Sequence, residues 1–133
     1  MDDIQKKALE QWHQFTKTQD NAILNNLLDD EIVFHSPVVW TPQKGKPLTM
    51  LYLNAAVKVL KDFQYIRQIV DGNQWALEFN GQLGEVTVRG IDLITLNENG
   101  KIIDFEVMVR PLKAVHAIHA SMAEMLENLK TSK

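Results

Sequence analysis

Residues 85–110, EVTVRGIDLITLNENGKIIDFEVMVR, decide the fold. Two stretches of alternating apolar residues flank Asn97-Glu98-Asn99-Gly100, the composition of a tight hairpin turn. Successive side chains of a strand point to opposite faces. Val86, Val88, Gly90, Asp92, Ile94 and Leu96 therefore share one face of the first strand, and Thr87, Arg89, Ile91, Leu93 and Thr95 the other. In the second strand Ile103, Phe105, Val107 and Val109 oppose Asp104, Glu106 and Arg110. The first face of each is almost wholly apolar and is predicted to line the interior. Asp92 is then a lone carboxyl among aliphatic and aromatic side chains. Such burial is costly unless the carboxyl is neutral or well paired, which makes Asp92 the first candidate for function.

Upstream, Trp75, Leu77 and Phe79 alternate with Ala76, Glu78 and Asn80, the pattern of a half-buried strand. Asp71-Gly72-Asn73 is a turn leading back to a strand over Phe63–Val70, and Asn80–Gly84, with two glycines, is a turn or a bulge. Before Phe63 the period is helical. Residues 3–17 place Ile4, Ala8, Trp12 and Phe15 on one stripe, with Asp2 or Asp3 as N-cap. Asp20 caps a short second helix carrying Ile23, Leu24, Leu27 and Leu28; Asp29-Asp30-Glu31 ends it, and Ile32–His35 is a short strand stopped by Pro37. Residues 41–47, TPQKGKP, form a loop. Pro47 opens a third helix with Leu48, Leu51, Tyr52, Ala55, Val59 and Leu60 inward. Residues 112–130 return to helical spacing through Leu112, Val115, His119, Met122, Leu126 and Leu129. Helices, then antiparallel strands, then a helix specify an α+β class rather than βαβ units. With no repeat or linker, residues 1–133 are expected to form one domain.

Composition narrows the chemistry. The 133 residues include no cysteine, which removes disulfides, thiolate metal sites and cysteine nucleophiles. At 45% hydrophobic and 23% charged the chain has a globular, not a disordered, balance. No apolar run is long enough to span a bilayer, and MDDIQKKALEQW lacks the layout of a signal peptide. The expectation is a cytoplasmic protein without a membrane partner. A net charge of −3 with scattered Lys and Arg gives no footprint for nucleic acid.

The order of elements resembles the nuclear transport factor two-like superfamily, α+β barrels that include the SnoaL-like and ketosteroid isomerase-like proteins. Residues 30–37 (DEIVFHSP), Ile91-Asp92-Leu93 and residues 97–102 (NENGKI) carry the likeness. It covers about residues 3–110, with the C-terminal helix extra relative to the isomerases. The resemblance implies a curved antiparallel sheet wrapped as a cone around the N-terminal helices, and a homodimer. This fold hosts enzymes and non-catalytic modules alike. Asp92 falls where ketosteroid isomerases hold a protonated aspartic acid in the oxyanion hole. Ser36 stands where their base is, and Trp12 corresponds to the tyrosine that shares the oxyanion hole. The positions at which SnoaL-like cyclases carry His and Asp correspond to Phe105 and Val107. The arginine that limonene epoxide hydrolases place two residues before an aspartate corresponds to Gly90, with Arg89 on the other face.

These readings define a candidate site. Asp92 and His35 are the candidate catalytic residues, Asp92 as acid or oxyanion donor and His35 as base if it turns inward. His35 and Ser36 lie on opposite strand faces, and the isomerase comparison favours Ser36 as the inward one. The pocket candidates are Trp12, Phe15, Ser36, Trp40, Tyr52, Trp75, Phe79, Val88 and Phe105. Ser36, His35 and Asp92 have the residue types of a hydrolytic triad, but no nucleophile elbow accompanies them. His116 and His119 are three apart on a helix, yet no carboxylate or third histidine joins them at ligand spacing, so no metal is assigned. TPQKGKP lacks a phosphate-cradle pattern, and no cofactor is expected. The first expectation is therefore a small apolar molecule, with a carbonyl or hydroxyl for Asp92, bound in the cone. Isomerase, cyclase or dehydratase-type proton transfer is the chemistry this would serve. The alternative is a non-catalytic dimeric module whose cone is filled by its own side chains. Arg89, Ile91, Leu93 and Met108 make the opposite sheet face apolar enough to pair two copies.

Overall fold

The 85–110 hairpin lies in a six-stranded curved sheet. The computed structural model describes residues 2–131; the side chains of Leu126, Leu129, Lys130 and Thr131, including the two leucines placed on the C-terminal stripe, lie outside that description. In chain order the elements are α1 (Asp3–Thr18), α2 (Asn21–Leu27), β1 (Leu28–His35), β2 (Gln43–Lys44), α3 (Lys46–Val59), β3 (Lys61–Asp71), β4 (Gln74–Leu83), β5 (Val86–Leu96), β6 (Ile102–Arg110) and α4 (Leu112–Thr131). The strand order is β2-β1-β6-β5-β4-β3. Pairing is antiparallel except between β1 and β6, which run parallel, so the sheet is mixed rather than wholly antiparallel. A long connection separates these two strands in sequence, so no hairpin forces them to oppose.

Local chemistry sets the helix ends. Asp2 accepts from the backbone N–H of Gln5 at 2.8 Å while the Gln5 side chain accepts from the Asp2 N–H at 3.2 Å, a reciprocal cap. Asp20 accepts from the Ala22 N–H at 2.9 Å and starts α2. The last carbonyls of α2 receive two ammonium groups, Lys46 on Asn25 and Lys101 on Asn26, which complement the negative end of the helix. Gly45, at φ +100°, turns the chain into α3, and Pro47 occupies its first turn.

Packing differs from the sequence reading in four places. The strand expected at Ile32–His35 begins at Leu28 and absorbs the acidic residues 29–31, with an irregularity between Leu28 and Val33 in its pairing to β6. In β6 Ile102, not Ile103, is buried. Leu96 pairs with Ile102 and Thr95 with Asp104, so Ile103 is the extra residue of a bulge and the alternation restarts after it. On α3 Leu53 is buried and Leu51 is exposed. On α4 the buried stripe runs through Ala114 and Ile118 while Leu112 is exposed, one position from the expected phase.

Gly90 is the tight point of the sheet. A Cβ there would stand 2.4 Å from Phe79 Cζ and 2.7 Å from the Met108 carbonyl oxygen. Phe79 occupies the space a side chain would need, and Met108 is backbone that cannot swing away. Gly90→Ala is expected to cost about 1–3 kcal/mol, the range for overpacking a well-packed interior. Urea denaturation should show a lower midpoint at unchanged slope; an unchanged midpoint would refute the close packing.

Candidate functional site

A cavity of about 220 Å³ opens inside the curve of the sheet. Its walls come from α1, the end of β1 and the residues after it, α3, β3, the inner face of β4–β6, and α4. It exceeds the roughly 150 Å³ at which an apolar protein cavity accepts a benzene ring. The lining is overwhelmingly apolar and aromatic. Phe34 stacks on Tyr52 at 5.6 Å, Phe63 on Phe79 at 5.0 Å, and Trp12 meets Phe105 edge-on at 5.1 Å.

One polar chain crosses this wall. The Trp12 indole N–H donates to the Tyr65 hydroxyl at 2.8 Å, and that hydroxyl donates to Asp92 Oδ2 at 2.6 Å. Trp12 cannot accept and Tyr65 can do both, so the direction of the chain is fixed: indole to phenol to carboxyl. Among the described residues Tyr65 is the hydrogen-bond partner of Asp92. Asp92 is 6% exposed and lines the cavity. Burial pushes its carboxyl from the ordinary 3.8 up to about 7, against the opposing pull of the Tyr65 hydrogen bond. Tyr65 is raised well above its usual 10, first by burial, then by the Asp92 charge and hydrogen bond, with the Trp12 bond acting the other way. The site thus holds a carboxyl that is neutral below pH 7 and a phenol that stays protonated.

The structure brings Trp12, Ser36, Tyr52, Phe79, Phe105 and Asp92 to this cavity. It leaves four other pocket candidates and His35 out of the lining. Phe15 and Trp75 are buried in the neighbouring core, and Val88 is buried beneath Phe79 and α4 in a second cluster. Trp40 is 97% exposed on the chain between β1 and β2. His35 follows the parity of β1: Ile32 and Phe34 turn inward, so its ring turns to the far face and meets Asp104 at 2.9 Å. Ser36 is the residue of that pair that lines the cavity.

Two titratable residues of the lining are missing from the site as read from the sequence. Tyr65 was hidden because β3 carries a pairing irregularity between Tyr65 and Arg67 that breaks its alternation; Phe63 and Tyr65 two apart were the available signal. His119 belongs to the cavity from α4, although its spacing reads as part of an apolar stripe. Among the described residues no group of three or more His, Asp or Glu side chains converges as a metal site requires.

No protein-family model matches the sequence, and no curated protein does. Solved structures do. The chain is 34% identical to a steroid delta-isomerase from Pseudomonas aeruginosa, covering 98% of this chain and 97% of that one at a TM-score of 0.95. That coverage takes in the C-terminal helix, which is therefore shared with this isomerase rather than extra. A conserved bacterial protein with a cystatin-like fold from Silicibacter pomeroyi is 32% identical over 90% of this chain and 85% of its own, TM-score 0.86. A nuclear transport factor two-like protein of unknown function from Mesorhizobium loti is 19% identical over 84% and 97%, TM-score 0.71, a likeness of fold.

The raised carboxyl makes stability depend on pH. The unfolded chain releases the Asp92 proton near 3.8 and the folded protein near 7, so between these values the folded state binds more protons. The stability from neutral Asp92 is complete below pH 4 and is lost as pH rises through 7. Asp92→Asn is expected to flatten this loss and to leave the variant more stable than wild type at pH 8. Denaturation midpoints from pH 4.5 to 8.5 measure it; parallel curves for the two proteins would contradict the raised value.

Proposed function

Because the chain belongs to the nuclear transport factor two-like superfamily, we propose that its cavity binds a small, mostly apolar, ring-containing molecule whose carbonyl or hydroxyl is held by Asp92. The observation that carries this reading is the uncommitted oxygen of Asp92. Oδ2 is engaged by Tyr65, and no described residue hydrogen-bonds to Oδ1. A neutral carboxyl in an apolar cavity can donate from Oδ1 to a carbonyl, and in a water-poor site such a bond is strong. Proton transfer of the isomerase, cyclase or dehydratase type is the chemistry for which this donor is suited. The 34% identity to a steroid delta-isomerase supports ring ketones as the ligand class, and the open volume supports a binding site over a cone filled by its own side chains.

The chain also forms a homodimer in this reading, through the outer face of the sheet. Cross-strand pairing lines up Ile69, Ala76 and Leu93 in one row and Ile91 and Met108 in the next. Ile69 is 57% exposed and Met108 48% exposed. Sedimentation should give a dimer for wild type and a monomer for Ile69→Lys/Met108→Lys; a monomeric wild type would refute this interface.

Two probes test the ligand reading, 2-tetralone as acceptor and 2-naphthol as donor. Both should raise the melting temperature of wild type, since a ligand at 100 times its Kd adds about 2.7 kcal/mol. Asp92→Leu should weaken both by about 10–100-fold, the loss of one hydrogen bond to a charged or buried partner. Tetralone needs the neutral carboxyl, so its affinity should fall about tenfold per pH unit well above 7, whereas naphthol can donate to the carboxylate and should be retained. Binding unaffected by Asp92→Leu would defeat the assignment.

A further inference from the structure

We infer that the two-fold axis of the homodimer runs across the strands at Met108, so that Glu106 of each chain meets Arg110 of the other. The inference rests on the dimer reading above and adds what that reading leaves open: which way the second copy lies, and which charges select it. It starts from the outer face of β6, where Asp104, Glu106, Met108 and Arg110 stand in alternation. Two acids lead, a methionine separates, and an arginine ends the row.

β5 continues the pattern sideways. Its pairing sets Thr95 beside Asp104, Leu93 beside Glu106, Ile91 beside Met108 and Arg89 beside Arg110. The outer face of the two strands is thus divided into an acidic end, an apolar waist and a basic end. Helix packing takes the inner face, through the clusters that hold Trp12 with Phe105 and Ile118 with Val88. Every outer residue of these rows is exposed or half-buried.

The charges at the two ends are not all settled within the chain. Asp104 is taken by His35 at 2.9 Å. Arg89 donates to Asn80 at 3.1 Å and lies 3.9 Å from Glu78, which Arg67 also neutralises at 3.0 Å. Glu106 and Arg110 make no ion pair or side-chain hydrogen bond with any described residue. Arg110 also pairs directly with Arg89, and like charges opposite one another across a ladder are unfavourable. The outer face of β6 therefore carries an unpaired acid and an unpaired base, two residues to either side of Met108.

Symmetry turns this spacing into an orientation. A two-fold interface sets one patch against a second copy of itself. For two sheets packed face to face the axis lies in the plane between them, and its limiting directions are along the strands and across them. An axis along the strands would set acidic end on acidic end and basic end on basic end. An axis across them, through Met108 and Ile91, sets each end on its opposite. Glu106 then lies about 7 Å from the axis on one side and Arg110 as far on the other. Aligned sheets keep their strands within about 30° of each other, which offsets the two groups by about 3–4 Å, less than one strand spacing. The apolar waist closes on its own copy, and the partner's Glu106 relieves the Arg89–Arg110 repulsion.

Charge reversal in the full chain, read by sedimentation equilibrium, tests the orientation. Glu106→Arg alone and Arg110→Glu alone should each raise the dimer dissociation constant at least tenfold, because symmetry repeats every like-charge contact. The double variant Glu106→Arg/Arg110→Glu should return to within about threefold of wild type. An equimolar mixture of the two single variants should form heterodimer in preference to either homodimer. A wild-type dimer that neither single variant weakens overturns the orientation and leaves the dimer reading standing. So does a double variant no tighter than the singles, or a mixture without heterodimer. A monomeric wild type overturns both. The two positions lie on the outer face, so the variants should fold; unchanged far-ultraviolet circular dichroism confirms it.

Discussion

A carboxyl held in an apolar cavity by a single phenol is the interaction on which the site depends. Asp92 has lost most of its hydration, and the 2.6 Å bond from Tyr65 only partly replaces it. Were the phenol absent, the carboxyl would be driven further toward its neutral form and the Trp12 indole would lose its acceptor. A buried N–H without a partner costs about 1–3 kcal/mol. The chain of two bonds therefore joins α1, β3 and β5, three elements that backbone pairing alone does not bring to one point. It ties the sheet to the first helix and leaves one carboxyl oxygen without a hydrogen-bond partner among the described residues.

The surrounding wall gives this polar chain its value. Aromatic rings from β1, α3, β3, β4 and β6 surround the cavity and keep its dielectric low. Gly90 contributes by having no side chain, since Phe79 fills the place over it. An arginine at that position, as the epoxide hydrolase comparison would require, would have to displace both Phe79 and the Met108 backbone. The packing and the chemistry thus point the same way, toward a neutral donor in a nearly uncharged pocket.

Parity made much of this visible beforehand. Alternation along residues 86–96 was enough to turn Asp92 inward, because β5 is central, regular and paired on both sides. The same rule failed by one residue at Ile103, where a bulge restarts the count, and failed to find Tyr65, where β3 slips against β4. Bulges insert a residue without leaving a compositional mark, so periodicity cannot see them. Helix phase was legible on α1, where Ala8, Trp12 and Phe15 are buried as spaced, and less so on α4. There the buried stripe starts at Ala114, which hydropathy ranks below Leu112 and Val115, and continues through Ile118. The inclusion of Trp40 shows the opposite error: hydrophobicity alone does not place a residue inside when a short, proline-marked connection carries it past the end of the sheet.

The irregularities of β3 bear on the boundary of the sheet as well. The cone is open, so β2 and β3 both present unpaired backbone to their surroundings. An edge of this kind invites another chain to add a strand, and proteins commonly blunt it by shortness, charge or broken register. Here β2 is only two residues long. β3 slips twice against β4, has Asp62 at φ +53°, and carries Lys61, Asp62, Arg67 and Asp71 along its length. A neighbouring molecule would find no straight, evenly spaced ladder on which to polymerise, and the sheet ends at six strands.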